Sequence, residues 1–139
     1  MGKKSERTVK KETNAVALLA QSAGITLRTD REARALPYEL APRRYLADAV
    51  WIAPDSAARR GVVIEIQGGR FISGKHGNAK GLATDDKKMA WAQLNDFDIL
   101  FCDYSDIEEI APILSKMVAK YYDATAISSH SEPINPMDI

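Results

Sequence analysis

The sequence predicts a small α/β domain in which a mixed β-sheet carries helices on both faces. Segments with helical periodicity alternate with short strand-like segments, in the order helix, strands, helix, strand, helix. The chain has 139 residues, of which 45% are hydrophobic and 27% are charged, and this suits one compact domain. Such a composition excludes a collagen-like repeat and a wholly disordered chain.

The first helix is predicted to begin after a cap at Ser5 and to end at Gly24. Its apolar stripe, at helical spacing, consists of Val9, Val16, Leu19 and Ala23. Glu12 falls on that stripe. A carboxylate on the buried side of a helix is costly unless it is paired or bound. Glu12 is therefore either an edge residue paired with a lysine or a ligand.

The remaining elements follow from alternation, capping residues and turn residues. The predicted strands are Leu36–Leu40, Tyr45–Ile52, Val62–Gln67 and Asp98–Asp103. The predicted helices run from Thr84 to about Asn95, with Asp85 and Asp86 at the positive end, and from Asp106 to about Tyr122. Residues 1–122 are predicted to form the domain, and 123–139 a polar, flexible tail.

Two neighbouring strands carry acidic side chains that can converge. Alternation places Asp48 on an otherwise aliphatic face and puts Glu65 and Gln67 on one face of the next strand. Carboxylate oxygens at close range suit Mg²⁺ or Mn²⁺. Each acid also has a structural interpretation, since Asp48 can pair with Arg43 or Arg44 and Glu65 can join a cross-strand ion pair. Gly68 and Gly69 then end the strand, and a glycine-rich basic loop over residues 70–81 is predicted to cover the site.

These residues form an extended pattern. Asp48 is followed, after sixteen residues, by the run Glu65-Ile66-Gln67-Gly68-Gly69. The pattern continues through Arg43-Arg44 before the aspartate, Gly74-Lys75-His76 in the loop, and Gly81, Asp85 and Lys88 in the helix. It resembles the PD-(D/E)XK nuclease superfamily, in particular small phage-borne and bacterial endonuclease domains. The resemblance implies a restriction-endonuclease-like αβββαβ core.

The resemblance also implies site residues and a cofactor. Asp48, Glu65 and the Ile66 carbonyl correspond to metal ligands, and Glu12 corresponds to the glutamate of the first helix that often completes the set. Mg²⁺ is the implied cofactor, with Mn²⁺ as a substitute. Gln67 stands where the family usually has a lysine, so either Lys88 supplies the cation or Gln67 only positions water.

The function implied is Mg²⁺-dependent hydrolysis of DNA phosphodiester bonds by a homodimer that selects branched DNA, as Holliday-junction resolvases do. Asp48, Glu65, Gln67 and Lys88 would be the catalytic residues. The predicted contacts to backbone phosphates are Arg43, Arg44, Arg59, Arg60, Arg70, Lys75, His76 and Lys80. His76 is alternatively an exposed loop histidine. Two other functions stay open: a catalytically silent nuclease fold that binds DNA or a protein, and an unrelated α/β interaction domain.

Charge and cysteine content agree with this function without specifying it. Residues 1–88 hold 17 of the 19 lysines and arginines, whereas residues 89–139 hold 2 basic and 9 acidic residues. Such segregation can orient a protein on a polyanion, although solvated helices of differing sign would look the same. The single cysteine, Cys102, and the short apolar runs predict a cytoplasmic protein, or one in the host cytoplasm if phage-encoded, with no membrane span.

Overall fold

The computed structural model describes residues 6–42, 45–54, 59–67 and 79–131, with side chains for 10–42, 45–54, 59–67 and 85–122. Its α-helices are α1 (Glu6–Ala23), α2 (Arg31–Ala35), α3 (Ala79–Leu94) and α4 (Ile107–Ser131). Its strands are β1 (Ala49–Ile52), β2 (Gly61–Gln67) and β3 (Phe97–Asp103). Two short 3₁₀ helices, Leu36–Tyr38 and Tyr104–Asp106, precede β1 and α4.

The three strands form a mixed sheet with β2 in the centre. β1 pairs with β2 in the antiparallel sense, with Ala49 opposite Ile64, and β3 pairs with β2 in the parallel sense, with Glu65 opposite Phe101. The helix α3 makes the crossover between the two parallel strands, as a βαβ unit requires. An antiparallel bridge from Arg28 to Val50 extends the sheet beyond β1.

Each face of the sheet has its own hydrophobic core. On one face, α1 and α4 pack on side chains that include Trp51, Ile64 and Cys102. On the other face, Val50, Val63 and Phe97 pack with Tyr38 and Ala92, which come from the first 3₁₀ helix and α3. The alternation predicted for β2 is therefore confirmed, as is the α/β class with helices on both faces of a mixed sheet. Gly24 ends α1 with a φ of 71°, as predicted.

The predicted strand Leu36–Leu40 is wrong, because these residues begin with a 3₁₀ helix. Pro37 has a φ near the helical value and no N–H group, which suits the first turn of a helix. The part of the chain that the structure describes thus has two strands before α3, and the complete αβββαβ order is not reproduced in it. The second predicted strand is also shorter, since pairing begins at Ala49 rather than at Tyr45.

Two predicted helix boundaries also differ. α3 begins at Ala79 rather than at Thr84, so Asp85 and Asp86 lie in its second turn and not at its positive end. α4 continues to Ser131, so the backbone of residues 123–131 extends the helix, while residues 132–139 lie outside the described residues. Within the described chain, none of the helices is both long and apolar enough to cross a bilayer.

Burial of β3 gives a direct test of this fold through the thiol of Cys102, which is only 1% exposed. Burial, followed by the negative charges of Asp106 and Asp103, raises the pKa of Cys102 to about 11. We expect negligible reaction with a disulfide reagent at mildly alkaline pH in the native protein, and full reaction in guanidinium chloride. Rapid labelling of the native protein would contradict the position of β3 in the core.

Candidate active site

A cleft of about 680 Å³ opens at the carboxyl end of β2. Ligand sites of α/β sheets commonly lie at the carboxyl ends of parallel strands. The cleft receives side chains from α1, from the segments around β1, from β2 and from α3. Its lining consists of Glu12, Thr13, Val16, Thr29, Arg34, Leu46, Asp48, Glu65, Ile66, Gln67, Asp85 and Lys88. All the sequence-predicted metal ligands and catalytic residues are therefore in one place.

Glu65 is the buried acid of this cleft, with 5% of its surface exposed. It lies on the face of β2 that is covered by α3 and the first 3₁₀ helix, and each of these elements supplies a partner. Lys88 Nζ lies 2.9 Å from Oε1. The Tyr38 hydroxyl donates a hydrogen bond of 2.9 Å to Oε2. Both carboxylate oxygens of Glu65 are thus held by donors from different elements.

The protonation equilibrium of Glu65 reflects opposing influences. Burial raises the pKa of the carboxyl group, and the charge of Asp48 acts in the same direction. Lys88 and the Tyr38 hydrogen bond lower the pKa of Glu65, but burial dominates and the pKa is raised overall. Burial and the nearby Glu65 charge likewise raise the pKa of Tyr38, so its hydroxyl keeps its proton and acts as a donor.

Asp48 joins the site through the backbone of β2. It stands one residue before β1, and its N–H donates a hydrogen bond of 3.1 Å to the Ile64 carbonyl. Its carboxylate Oδ2 accepts a hydrogen bond of 2.6 Å from the Ile66 N–H. Asp48 therefore extends the pairing of the two strands and places a half-buried negative charge beside the residue that follows Glu65.

Glu12 reaches the same cleft from α1, and its half-buried side chain agrees with its position at the apolar stripe. Burial, Glu12, Asp48 and Asp103 each raise the pKa of Tyr104, so these three acids act on one phenol. The Lys11 ammonium lies 4.8 Å from the centre of the Tyr104 ring. Carboxylates from α1 and from the start of β1 thus combine with Glu65 into one acidic region.

The donor chemistry of this region fits a hard divalent cation. Asp48, Glu65 and Glu12 offer carboxylate oxygens, and Ile66, whose carbonyl is the ligand that the resemblance implies, lines the same cleft. Among the described residues, no three acidic, histidine or cysteine side chains are close enough to form a complete ligand group. A cation at this site would therefore need further oxygen ligands from a carbonyl or from water.

The predicted DNA contacts are only partly described. Arg43, Arg44, Arg70, Lys75 and His76 lie outside the described residues, and the side chain of Lys80 in α3 does as well. Arg59 and Arg60 precede β2, whose seven residues separate them from the cleft by about 20 Å. Arg59 pairs with Glu39 at 3.5 Å, and the Arg60 guanidinium lies 5.7 Å from the centre of the Tyr121 ring. These two arginines do not line the cleft.

No protein-family model, curated protein or solved structure matches the chain. The resemblance to PD-(D/E)XK nucleases consequently depends on the residues and their arrangement alone.

Sequence reasoning missed the contact of Tyr38 with Glu65 and the position of Arg34 at the cleft. Tyr38 was placed in a strand, and its contact with Glu65 joins residues 27 positions apart. Arg34 lines the cleft, and its Nε donates a hydrogen bond of 2.5 Å to the Ala47 carbonyl, which fastens α2 beside Asp48. No periodicity in the sequence indicates either contact. The one available signal is Pro37, which favours a helical turn and so a different direction for Tyr38.

The ion pair of Lys88 with Glu65 predicts a pH-dependent loss of stability in Lys88→Met. At neutral pH we expect a loss of about 3 kcal/mol in the free energy of unfolding, because a buried carboxylate loses its counter-charge. Without Lys88, the pKa of folded Glu65 rises further above its unfolded value. The loss of stability relative to the wild type is therefore absent at acid pH, below the pKa of Glu65 in the unfolded chain. It grows as pH rises through the pKa of Glu65 in the folded protein, where the carboxyl group ionises.

Urea unfolding of metal-free protein across this pH range measures the effect. Lys87→Met is the matched control, because Lys87 is an exposed neighbour on the same helix and should change the free energy of unfolding by less than about 0.5 kcal/mol. A Lys88→Met deficit that is equal at acid and neutral pH would contradict the ion pair.

Proposed function

We propose that the chain is a metal-dependent endonuclease that hydrolyses DNA phosphodiester bonds. One observation carries the proposal: Asp48, Glu65, the Ile66 backbone and Lys88 share one cleft at the end of the central strand. Two acids, a carbonyl and an ammonium group are the set that the resemblance to PD-(D/E)XK nucleases requires.

Each of these residues would have a separate role in hydrolysis. Asp48, Glu65 and the Ile66 carbonyl would hold Mg²⁺ or Mn²⁺, with Glu12 completing the set. The bound cation polarises the phosphodiester and lowers the pKa of a water molecule. The Lys88 ammonium group offsets negative charge that develops on the phosphate. Gln67, on the same face of β2 as Glu65, would orient the attacking water.

The proposed substrate is branched DNA cut by a homodimer, as the resemblance to junction resolvases implies. The basic residues that precede β1 and follow β2 in the sequence, Arg43, Arg44, Arg70, Lys75 and His76, would bind backbone phosphates, which gives a salt-dependent affinity with little sequence preference. A dimer would place two clefts on opposite strands of a junction.

A catalytically silent DNA- or protein-binding module is the second candidate. The observation in its favour is that Lys88 and Tyr38 already engage both oxygens of Glu65, as in a structural ion pair. Gln67, in place of the usual lysine, favours the same candidate.

A cleavage assay distinguishes the two. Labelled four-way junction, flap, duplex and single-stranded DNA would each be incubated with the protein and Mg²⁺, Mn²⁺ or EDTA. We expect metal-dependent cuts placed symmetrically on the junction. Cuts on every substrate would indicate a general nuclease, and firm binding without any cut would favour the silent module. Absence of both binding and cleavage would contradict both candidates.

A further inference from the structure

The two oxygens of Glu65 are held by partners of very different character. The Lys88 side chain is long, flexible and 19% exposed; it lines the cleft, and its ammonium group lies 2.9 Å from Oε1. Tyr38 is 2% exposed and approaches Oε2 from inside the core. One partner can leave toward the solvent, whereas the other cannot leave without disturbing the packing.

Several contacts hold Tyr38 in place. Its ring meets the Tyr45 ring edge-on, with centroids 5.8 Å apart. Its carbonyl accepts a hydrogen bond of 2.9 Å from the Ala41 N–H. The preceding residue, Pro37, is linked to the end of α3, because its carbonyl accepts a hydrogen bond of 3.2 Å from Nδ2 of Asn95, the residue that follows the helix. The hydroxyl therefore stands at a determined position on the covered side of Glu65.

Lys88 supplies Glu65 with a positive charge, and a divalent cation would supply the same compensation. A buried carboxylate without a counter-charge is costly. Glu65 therefore keeps its compensation if the divalent metal ion replaces the Lys88 ammonium group directly. Such an exchange needs Glu65 to keep its orientation while Oε1 changes partner. The contact between Tyr38 and Oε2 provides that orientation.

We propose, on the basis of the metal-dependent function above, that Tyr38 is a positioning residue that holds Oε2 of Glu65 while Oε1 exchanges Lys88 for the divalent cation. Lys88 and the cation thus compete for one oxygen. The exchange also releases the Lys88 ammonium group toward the cleft, where the phosphate would lie. Tyr38 acts through Glu65 and does not contact the substrate.

Two opposite changes in metal affinity follow from this arrangement. Lys88→Met removes the competitor, so the protein should bind Mn²⁺ more tightly although it lacks the ammonium group. Tyr38→Phe removes the hydrogen bond to Oε2 and should weaken Mn²⁺ binding by about tenfold, in the range known for residues that orient metal ligands. Tyr45→Phe is the matched control, because Tyr45 packs on the Tyr38 ring and leaves the contact with Glu65 in place.

The experiment is calorimetric titration of the metal-free full-length protein with MnCl₂ near neutral pH, with circular dichroism to verify folding. Wild type and the variants Tyr38→Phe, Tyr45→Phe, Lys88→Met and Glu65→Gln would be compared. Loss of binding in Glu65→Gln assigns the heat to this site. In cleavage assays, Tyr38→Phe should need more metal for half-maximal rate and approach the wild-type rate at saturating metal.

The outcomes separate this inference from the proposed function. No Mn²⁺ binding by the wild type, or binding that persists in Glu65→Gln, would overturn both. Binding at Glu65 that Tyr38→Phe and Tyr45→Phe change equally would overturn the role of Tyr38 alone. If Tyr38→Phe does not fold, Lys88→Met decides, because Mn²⁺ binding no tighter than in the wild type would overturn the exchange.

Discussion

Replacing Asp48 with asparagine is expected to lower the rate of DNA cleavage by about a hundredfold or more while DNA binding stays near the wild-type level. In the proposed site Asp48 supplies one of the negative charges that hold the cation. Asparagine has nearly the same shape but no charge, so the cation loses a ligand of the right kind. The proposed phosphate contacts elsewhere on the protein would be unaffected, which is why binding should persist.

Asparagine is the informative substitution because Asp48 also has a structural contact. Its Oδ2 accepts the hydrogen bond from the Ile66 N–H, and the amide oxygen of asparagine can accept the same bond. Alanine cannot, and the half-buried N–H left without a partner would cost about 1–3 kcal/mol in the free energy of unfolding. Asp48→Ala therefore mixes loss of stability with loss of charge.

Wild type, Asp48→Asn and Asp48→Ala would be compared in three measurements. Single-turnover cleavage of the labelled junction gives the rate, filter binding gives the DNA affinity, and thermal unfolding gives the stability. We expect Asp48→Asn to unfold close to the wild-type temperature. Wild-type cleavage by a folded Asp48→Asn protein would remove Asp48 from the proposed active site.

Local rules of the sequence were sufficient for the elements whose pattern is uninterrupted. β2 and β3 each contain a continuous apolar run, at residues 62–64 and 99–102, and the structure places both strands close to their predicted positions. The first helix has both periodicity and a glycine stop, and Gly24 ends it. Prediction failed where tertiary contacts replace local preference. The segment at Leu36–Leu40 alternates like a strand, but Pro37 and the contact of Tyr38 with Glu65 belong to a helical turn.

The candidate site was partly predictable for a related reason. Glu65 and Gln67 lie on β2 and Asp48 directly precedes the neighbouring β1, so alternation alone predicts that the three side chains share one face of the sheet. Lys88 is a candidate because of the resemblance to PD-(D/E)XK nucleases, and the structure places its ammonium group 2.9 Å from Glu65. Tyr38 could not be anticipated, because its role depends on how the first 3₁₀ helix packs against the covered face of β2. Contacts between distant segments carry no local signature in one sequence.

The same contacts that stabilise the fold also arrange the acids of the cleft. The bond from Ile66 to Asp48 continues the pairing between two strands, and the pair of Lys88 with Glu65 ties α3 to the central strand. A site built in this way is already organised before it binds anything, because its side chains are held by backbone and helix. A substitution that removes either contact should therefore lower both stability and activity. Asp48→Asn is the exception, because asparagine can still accept the hydrogen bond from Ile66.

Lys88→Met is expected to slow cleavage by about a hundredfold at saturating metal while it weakens DNA binding by much less. The ammonium group is proposed to act on charge that develops during the reaction, so its loss should appear in the rate and not in the affinity for the ground state. Lys87→Met controls for the loss of one positive charge on α3, because Lys87 is exposed beside it. Equal losses of rate and affinity in Lys88→Met would make Lys88 a plain phosphate contact.

A second substitution tests whether the position of the charge matters. Gln67 lines the same cleft and lies two residues after Glu65, on the same face of β2. Introducing Gln67→Lys into Lys88→Met returns an ammonium group to the cleft from the strand, where the resembling nucleases carry theirs. We expect the double variant to recover at least about tenfold of the lost rate, since the lysine again offsets charge on the phosphate. Recovery would show that α3 supplies the positive charge that β2 lacks in this chain. A double variant as slow as Lys88→Met would show that an ammonium group at residue 67 cannot replace the one at Lys88.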